Sequence, residues 1–220
     1  MADIEFESDN FDISKVQEFI AAGKPYNLNL NGPSTGERDY LKGLLTEYLK
    51  QVGKEESYSL LRLCMDEIIS NSVKANIKRT YFIVNNLDIN NHKDYEAGIK
   101  SFHDVCMSIC KEQAFVQKIL DLGFYVRCRF HIENNILTIT TRNNSVISQE
   151  EIARIEKKLA LAANQTPEQI FMNSIDMTEG AGLGIIMINK IISQVSTLQD
   201  RFSIRATETE TVTELKINKI

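Results

Sequence analysis

Asp66-Glu67-Ile68-Ile69-Ser70-Asn71-Ser72-Val73-Lys74-Ala75-Asn76 is the stretch whose reading decides the fold. It lies inside a long helical pattern that begins near Ser57. At about 100° per residue, Glu67, Asn71 and Lys74 fall within roughly 60° of arc. Leu61, Met65, Ile68, Ser72 and Ala75 group on the opposite flank as a core-facing stripe. One helix therefore buries one side and aligns an acid, an amide and an amine on the other. Those groups can hold a metal–phosphate: a carboxylate for water, an amide oxygen for Mg²⁺ and a cation for phosphate oxygens. A solvated helix face has the same composition, so a second motif must decide between the two.

Outward from that helix, the pattern alternates helices and strands. The first residues read as a short edge strand, and Asp12 caps a helix from Ile13 to Ala22 that Gly23-Lys24-Pro25 ends. Tyr26 to Leu30 alternates as a strand, and Asn31-Gly32-Pro33-Ser34 is a turn. A helix from Glu37 to Val52 carries Tyr40, Leu41, Leu44, Leu45 and Tyr48 on its apolar side, and Gly53 closes it. The central helix runs to about Arg79, before an Asn-rich exposed loop from Asn85 to His92. Helical spacing resumes from Tyr95 to Leu120 and stops at Gly123. Tyr125 to Ile132 and Ile136 to Thr141 form a hairpin around Glu133-Asn134-Asn135. Gln149 to Leu161 is helical, and Ala162 to Thr178 has the mixed signals of a mobile segment. After an apolar helix from Ile185 to Ile192, two strands close the chain, Phe202 to Thr207 and Thr211 to Ile217. Helices placed before and between antiparallel strands predict an α+β fold, a two-layer α/β sandwich with a mixed, mostly antiparallel sheet.

The 220 residues contain no linker-like break and read as a single domain, 1–220. A net charge of −5 argues against general affinity for nucleic acid. No apolar run reaches the roughly 20 residues that span a bilayer, and the acidic N-terminus has no signal-peptide pattern. A cytoplasmic protein without a membrane partner is expected. Cys64, Cys106, Cys110 and Cys128 lack framework spacing. His103, Cys106 and Cys110 share a helical face, but without a C-x-x-C or a fourth ligand they read as buried thiols rather than a metal site.

The second motif is Gly180-Ala181-Gly182-Leu183-Gly184, placed directly before an apolar helix. Alternating glycines there expose backbone N–H groups suited to phosphate. No Gly-Lys-Ser/Thr follows, and no strand precedes it as a dinucleotide fingerprint requires. Taken with Glu67-x-x-x-Asn71-x-x-Lys74-Ala75, and with the hairpin, helix and mobile stretch between them, the order resembles the histidine-kinase-like ATPase (GHKL) family. That family's nucleotide-binding module has the Bergerat fold. The first motif looks like its N box and the second like its second glycine box, and the likeness covers roughly Leu41 to Ile217.

The resemblance implies that Glu67 orients or deprotonates the attacking water or hydroxyl. It implies that Asn71 ligates Mg²⁺ and that Lys74 approaches the phosphates of ATP or ADP. Gly180, Gly182, Leu183 and Gly184 would let the backbone wrap those phosphates, with Ala162 to Glu179 as the lid. One departure concerns the adenine contact, for which the family uses Asp-x-Gly-x-Gly. Here the stretch is Thr141-Arg142-Asn143-Asn144-Ser145-Val146-Ile147. Asn143 or Asn144 would offer a neutral amide oxygen, weaker than a carboxylate, and Arg142 adds a donor that does not suit an amino group. A second departure is the helical insertion at about 85–122, read as extra covering for the sheet or as a docking surface. Adjacent acids such as Glu150-Glu151 point apart and read as surface.

His92, His103 and His131 lack the helical-hairpin setting of a phosphoacceptor, so autophosphorylation on histidine is not expected. A stand-alone module of this type resembles the serine-kinase anti-sigma factors. Two functions stay open: a Mg-ATP/ADP-binding regulatory module of a bacterial signalling system acting on a partner protein, or a degenerate scaffold of the same fold that no longer binds ATP.

Overall fold

The computed structural model describes residues 12–30, 35–89, 91–109, 113–163 and 183–219. In chain order these form α1 (Ile13–Ala21), β1 (Tyr26–Leu30), α2 (Thr35–Val52), α3 (Tyr58–Val84), α4 (His92–Ile109) and α5 (Gln113–Asp121). They continue with β2 (Val126–Glu133), β3 (Ile136–Asn143), α6 (Gln149–Ala163), α7 (Leu183–Val195), β4 (Phe202–Ala206) and β5 (Thr211–Asn218). The edge strand expected before Asp12, the turn at 31–34 and most of the stretch expected to be mobile lie outside the described residues.

The described strands make one sheet in the order β1-β2-β3-β5-β4, antiparallel at every pairing. The two-layer α+β sandwich is what forms. Alternation puts one row of side chains from four strands, Tyr26, Phe130, Ile139 and Leu215, in register on the inner face, each at most 2% exposed. Leu44 and Leu45 of α2, Leu61 and Ile68 of α3, and Ile188 and Ile192 of α7 close over them as one core. The β2–β3 turn uses Asn134 and Asn135 at φ 51° and 60°, the left-handed pair that a two-residue hairpin demands.

On the other face Arg127 and Arg142 are direct cross-strand partners, a like-charge pairing that would be unfavourable alone. Glu210 resolves it. Arg142 Nη1 donates to its carboxylate at 2.9 Å and the Tyr125 hydroxyl donates at 2.7 Å, while the Arg127 guanidinium lies 4.1 Å from the Tyr125 ring centre. Burial works against the charge on Glu210, but Tyr125 and Arg142 outweigh it and hold the carboxyl below its ordinary range.

Helix α3 runs past Arg79 to Val84, where Asn86 takes φ 53° and the Leu87 N–H bonds back to the Phe82 carbonyl at 2.9 Å. At 27 residues it is about 40 Å long, against about 27 Å for an eight-residue strand. Its C-terminal turns therefore need cover that the sheet layer does not supply. The insertion provides it, and the helical spacing read over 95–120 is divided between α4 and α5. Ile77, Tyr81 and Phe82 of α3, Phe102 of α4 and Phe115 of α5 form a second core that contains no strand residue. The insertion thus covers α3, which corrects the expectation that it covers the sheet.

Gly98 of α4 sits against the Phe82 ring, where a Cβ would stand 2.4 Å from the ring's Cζ. Gly98→Ala gains about 1 kcal/mol of helix propensity and loses about 1–3 kcal/mol to overpacking of an aromatic that is 1% exposed. The expected outcome is net destabilisation, read as a lower urea midpoint at unchanged m-value; an unaltered or higher midpoint would show that this second core is loosely packed.

Candidate functional site

Glu67, Asn71, Lys74 and Lys78 follow one another at helical spacing along α3 and line a cavity of about 390 Å³. The far walls come from Asn143 at the end of β3, from Glu151, Arg154 and Lys158 of α6, and from Gly184 of α7. Volume and concavity are those of a small-molecule site.

The two motifs separated by more than a hundred residues meet at one point. A Cβ built on Gly184 would stand 1.9 Å from Glu67 Oε1 and 2.4 Å from its Cδ. Only glycine lets the first turn of α7 seat against that carboxylate. Glu67 Oε1 in turn accepts a hydrogen bond from Asn71 Nδ2 at 3.0 Å. With its amide nitrogen committed to Glu67, Asn71 keeps its oxygen for a donor or a cation, the orientation a Mg²⁺ ligand needs. Lys74 lines the same cavity from an exposed position. Leu183 opens α7 beside Gly184, while Gly180 and Gly182 lie outside the described residues, as does 164–179 of the expected lid.

The end of the sheet has no glycine-rich turn of the kind the resemblance would imply. Asn143 is paired with Val126 on one side and Thr211 on the other. It is 3% exposed and faces the cavity, and its Nδ2 donates to the Ser145 carbonyl at 3.2 Å. Asn144 is not brought to the cavity. Its Oδ1 accepts from the Tyr125 N–H and its Nδ2 donates to the Gly123 carbonyl, both at 2.9 Å, so it latches the loop before β2. Arg142 likewise turns to the opposite face and Glu210, and offers no donor to the cavity.

Side chains hold the next residues in place. Ser145 donates to Asn76 at 2.8 Å, Thr211 donates to the Ser145 carbonyl at 2.7 Å, and Arg79 donates to the Val146 carbonyl at 3.1 Å. A buried network in which each group has a partner is rigid.

Helix α6 starts on a reciprocal cap. The Ser148 N–H donates to Glu151 Oε2 at 2.9 Å and the Glu151 N–H to Ser148 Oγ at 3.1 Å. The other oxygen of Glu151 takes Lys78 Nζ at 2.6 Å across the cavity. Burial works against the Glu151 charge, but Lys78 and Ser148 outweigh it and hold the carboxyl below its ordinary range. Glu151 is therefore a cavity wall, which corrects its reading as a surface acid.

Lys78, Arg79, Arg154 and Lys158 were not singled out by sequence reasoning. Lys78 continues the spacing of Glu67, Asn71 and Lys74 and was legible in that stripe. Arg154 and Lys158 follow Glu151 by three and seven residues and carry no signal of which way they face.

No family model matches the chain, and no solved structure matches it. The chain is 25% identical over 179 residues to an uncharacterized protein of Treponema pallidum (strain Nichols), a match covering 81% of this chain and 34% of that protein. It spans roughly a third of the length of the curated relative it matches. Among the described residues no group of His, Cys, Asp and Glu forms a metal cluster, and no helix is long and apolar enough to cross a membrane.

The Lys78–Glu151 pair gives a pH-dependent expectation. A carboxyl held low in the folded state stabilises above its unfolded pKa, and that stabilisation is lost as the pH falls through the folded value. Lys78→Met should cost about 1–3 kcal/mol at pH 7. The gap between variant and wild type should close as urea titrations move below the ordinary carboxylate range. A gap independent of pH would show that Lys78 acts through packing alone.

Proposed function

We propose that the chain binds Mg-ATP or Mg-ADP in this cavity and acts in bacterial signalling through a partner protein. The single observation that carries the reading is the seat of Gly184 on Glu67, which puts the end of the glycine motif against the acid–amide–amine stripe. Around it stand an amide oxygen suited to Mg²⁺ on Asn71 and cations suited to phosphate, beginning with Lys74. Glu67 is the group for polarising a water or hydroxyl, as the resemblance to the histidine-kinase-like ATPases implies. Kinase activity toward the partner, in the manner of the serine-kinase anti-sigma factors, belongs to this reading. So does a cytoplasmic location.

A second reading has its own observation. The position where the family places an adenine-binding acid holds Asn143, whose amide is partly used within its own loop. A scaffold that keeps the fold and has lost the nucleotide would show that change.

Thermal melting of the full chain separates the two. A ligand at 100 times its Kd stabilises by about 2.7 kcal/mol, so Mg-ATP or Mg-ADP should raise Tm by several degrees. Asn71→Ala should remove the Mg²⁺-dependent part of the shift, and Gly184→Val, which displaces Glu67, should reduce the whole. Nucleotide at millimolar concentration that leaves Tm unmoved would leave the scaffold reading standing.

A further inference from the structure

We infer that Glu151 is a built-in competitor for the ligand's anion: its carboxylate occupies Lys78, a fourth member of the ligand-binding stripe, and an anionic group entering the cavity takes that ammonium in exchange. The inference rests on the anion-binding part of the reading above and deepens it by naming a contact that sets affinity. Position is the first observation. At about 100° per residue Lys78 falls inside the arc spanned by Glu67, Asn71 and Lys74. It stands one turn beyond Lys74, and all four side chains line the same cavity. A stripe that offers an acid, an amide and an amine to a metal–phosphate thus continues into a second amine.

The second observation is how that amine is held. Lys78 Nζ lies 2.6 Å from Glu151 Oε1, and the Tyr95 ring centre of α4 stands 5.9 Å from the same nitrogen. A carboxylate against an ammonium offers the same charged oxygen acceptors that a phosphate does. Neither partner is sealed off: the Lys78 side chain is 19% exposed and that of Glu151 27%. Opening a fully buried ion pair strands two charges away from water. At this exposure each partner can meet water or a ligand instead. Arg79, the next residue, is used otherwise, since it donates to the Val146 carbonyl of the latched loop.

The third observation is that the two oxygens of Glu151 do separate work. Oε2 accepts the Ser148 N–H at 2.9 Å and closes the helix cap, while Oε1 takes Lys78. Releasing Lys78 therefore leaves the cap in place. The ammonium passes from one oxyanion to another, so the exchange costs the difference between two charged contacts and not the whole of one. The cap also makes the role separable by substitution. Glutamine serves at this cap position as glutamate does, so Glu151→Gln removes the charge that holds Lys78 and keeps the start of α6.

The test is titration calorimetry of the full chain with Mg-ATP and with inorganic tripolyphosphate, in wild type, Glu151→Gln, Lys78→Met and the double variant. Glu151→Gln should bind both ligands about threefold or more tighter than wild type, and Lys78→Met about tenfold more weakly. In the Lys78→Met background Glu151→Gln should gain less than about twofold, the signature of two groups that act on each other. A gain of equal size in both backgrounds would show Glu151 to be a like charge and nothing more, and would overturn the inference. So would a Glu151→Gln chain that binds no tighter than a wild type that does bind. Either result leaves the nucleotide reading standing. Ligand bound by Glu151→Gln alone would support the inference in its strongest form. No binding by any of the four proteins, each with wild-type far-UV circular dichroism, would remove both readings together.

Discussion

The contact between Gly184 and Glu67 is the constraint on which the cavity depends. Helix α7 is among the most apolar parts of the chain, and Ile188, Ile191, Ile192 and Val195 bury it in the core. Its first turn, however, meets the polar stripe of α3. A side chain at 184 would push the Glu67 carboxylate out of its position and with it the Asn71 amide that bonds to it. One missing Cβ therefore reconciles a hydrophobic helix seat with a polar helix face, and the orientation of two functional groups follows from that packing.

The opposite end of the cavity is made rigid by a different device. Where a glycine turn would bend freely, this chain fastens the residues after β3 with Asn76, Arg79 and Thr211. Each of these partners sits on an element already held by the core, so the loop inherits the stiffness of α3 and β5. Separate bonds to the Tyr125 N–H and the Gly123 carbonyl draw Asn144 out of the cavity, while Asn143 lines it.

Helix α3 links the two cores. Its N-terminal half belongs to the main core and its C-terminal half, through Tyr81 and Phe82, to the aromatic cluster with α4 and α5. The insertion is thus a support for the helix that bears Glu67, Asn71, Lys74 and Lys78. Placement on an element buried along its length would fix such side chains for the ligand proposed above.

Local chemistry determined much of this protein before any tertiary contact. Gly23, Gly53 and Gly123 stop helices because each takes a left-handed φ, Asp12 starts one by accepting the N–H groups of Ser14 and Lys15, and alternation separates the faces of β2 and β3. Those signals span a few residues and need nothing else. The stripe of Glu67, Asn71 and Lys74 was legible for the same reason, since helical period alone puts the three side by side. The tertiary structure decided which way α6 faces, and so that Glu151, Arg154 and Lys158 line a cavity. It also decided that Asn143 enters the site while Asn144 leaves it, and that the insertion covers a helix. A charged residue on an amphipathic helix reads the same whether its neighbour is water or another helix. Only the packing of α6 against Lys78, and of α7 against Glu67, distinguishes the two.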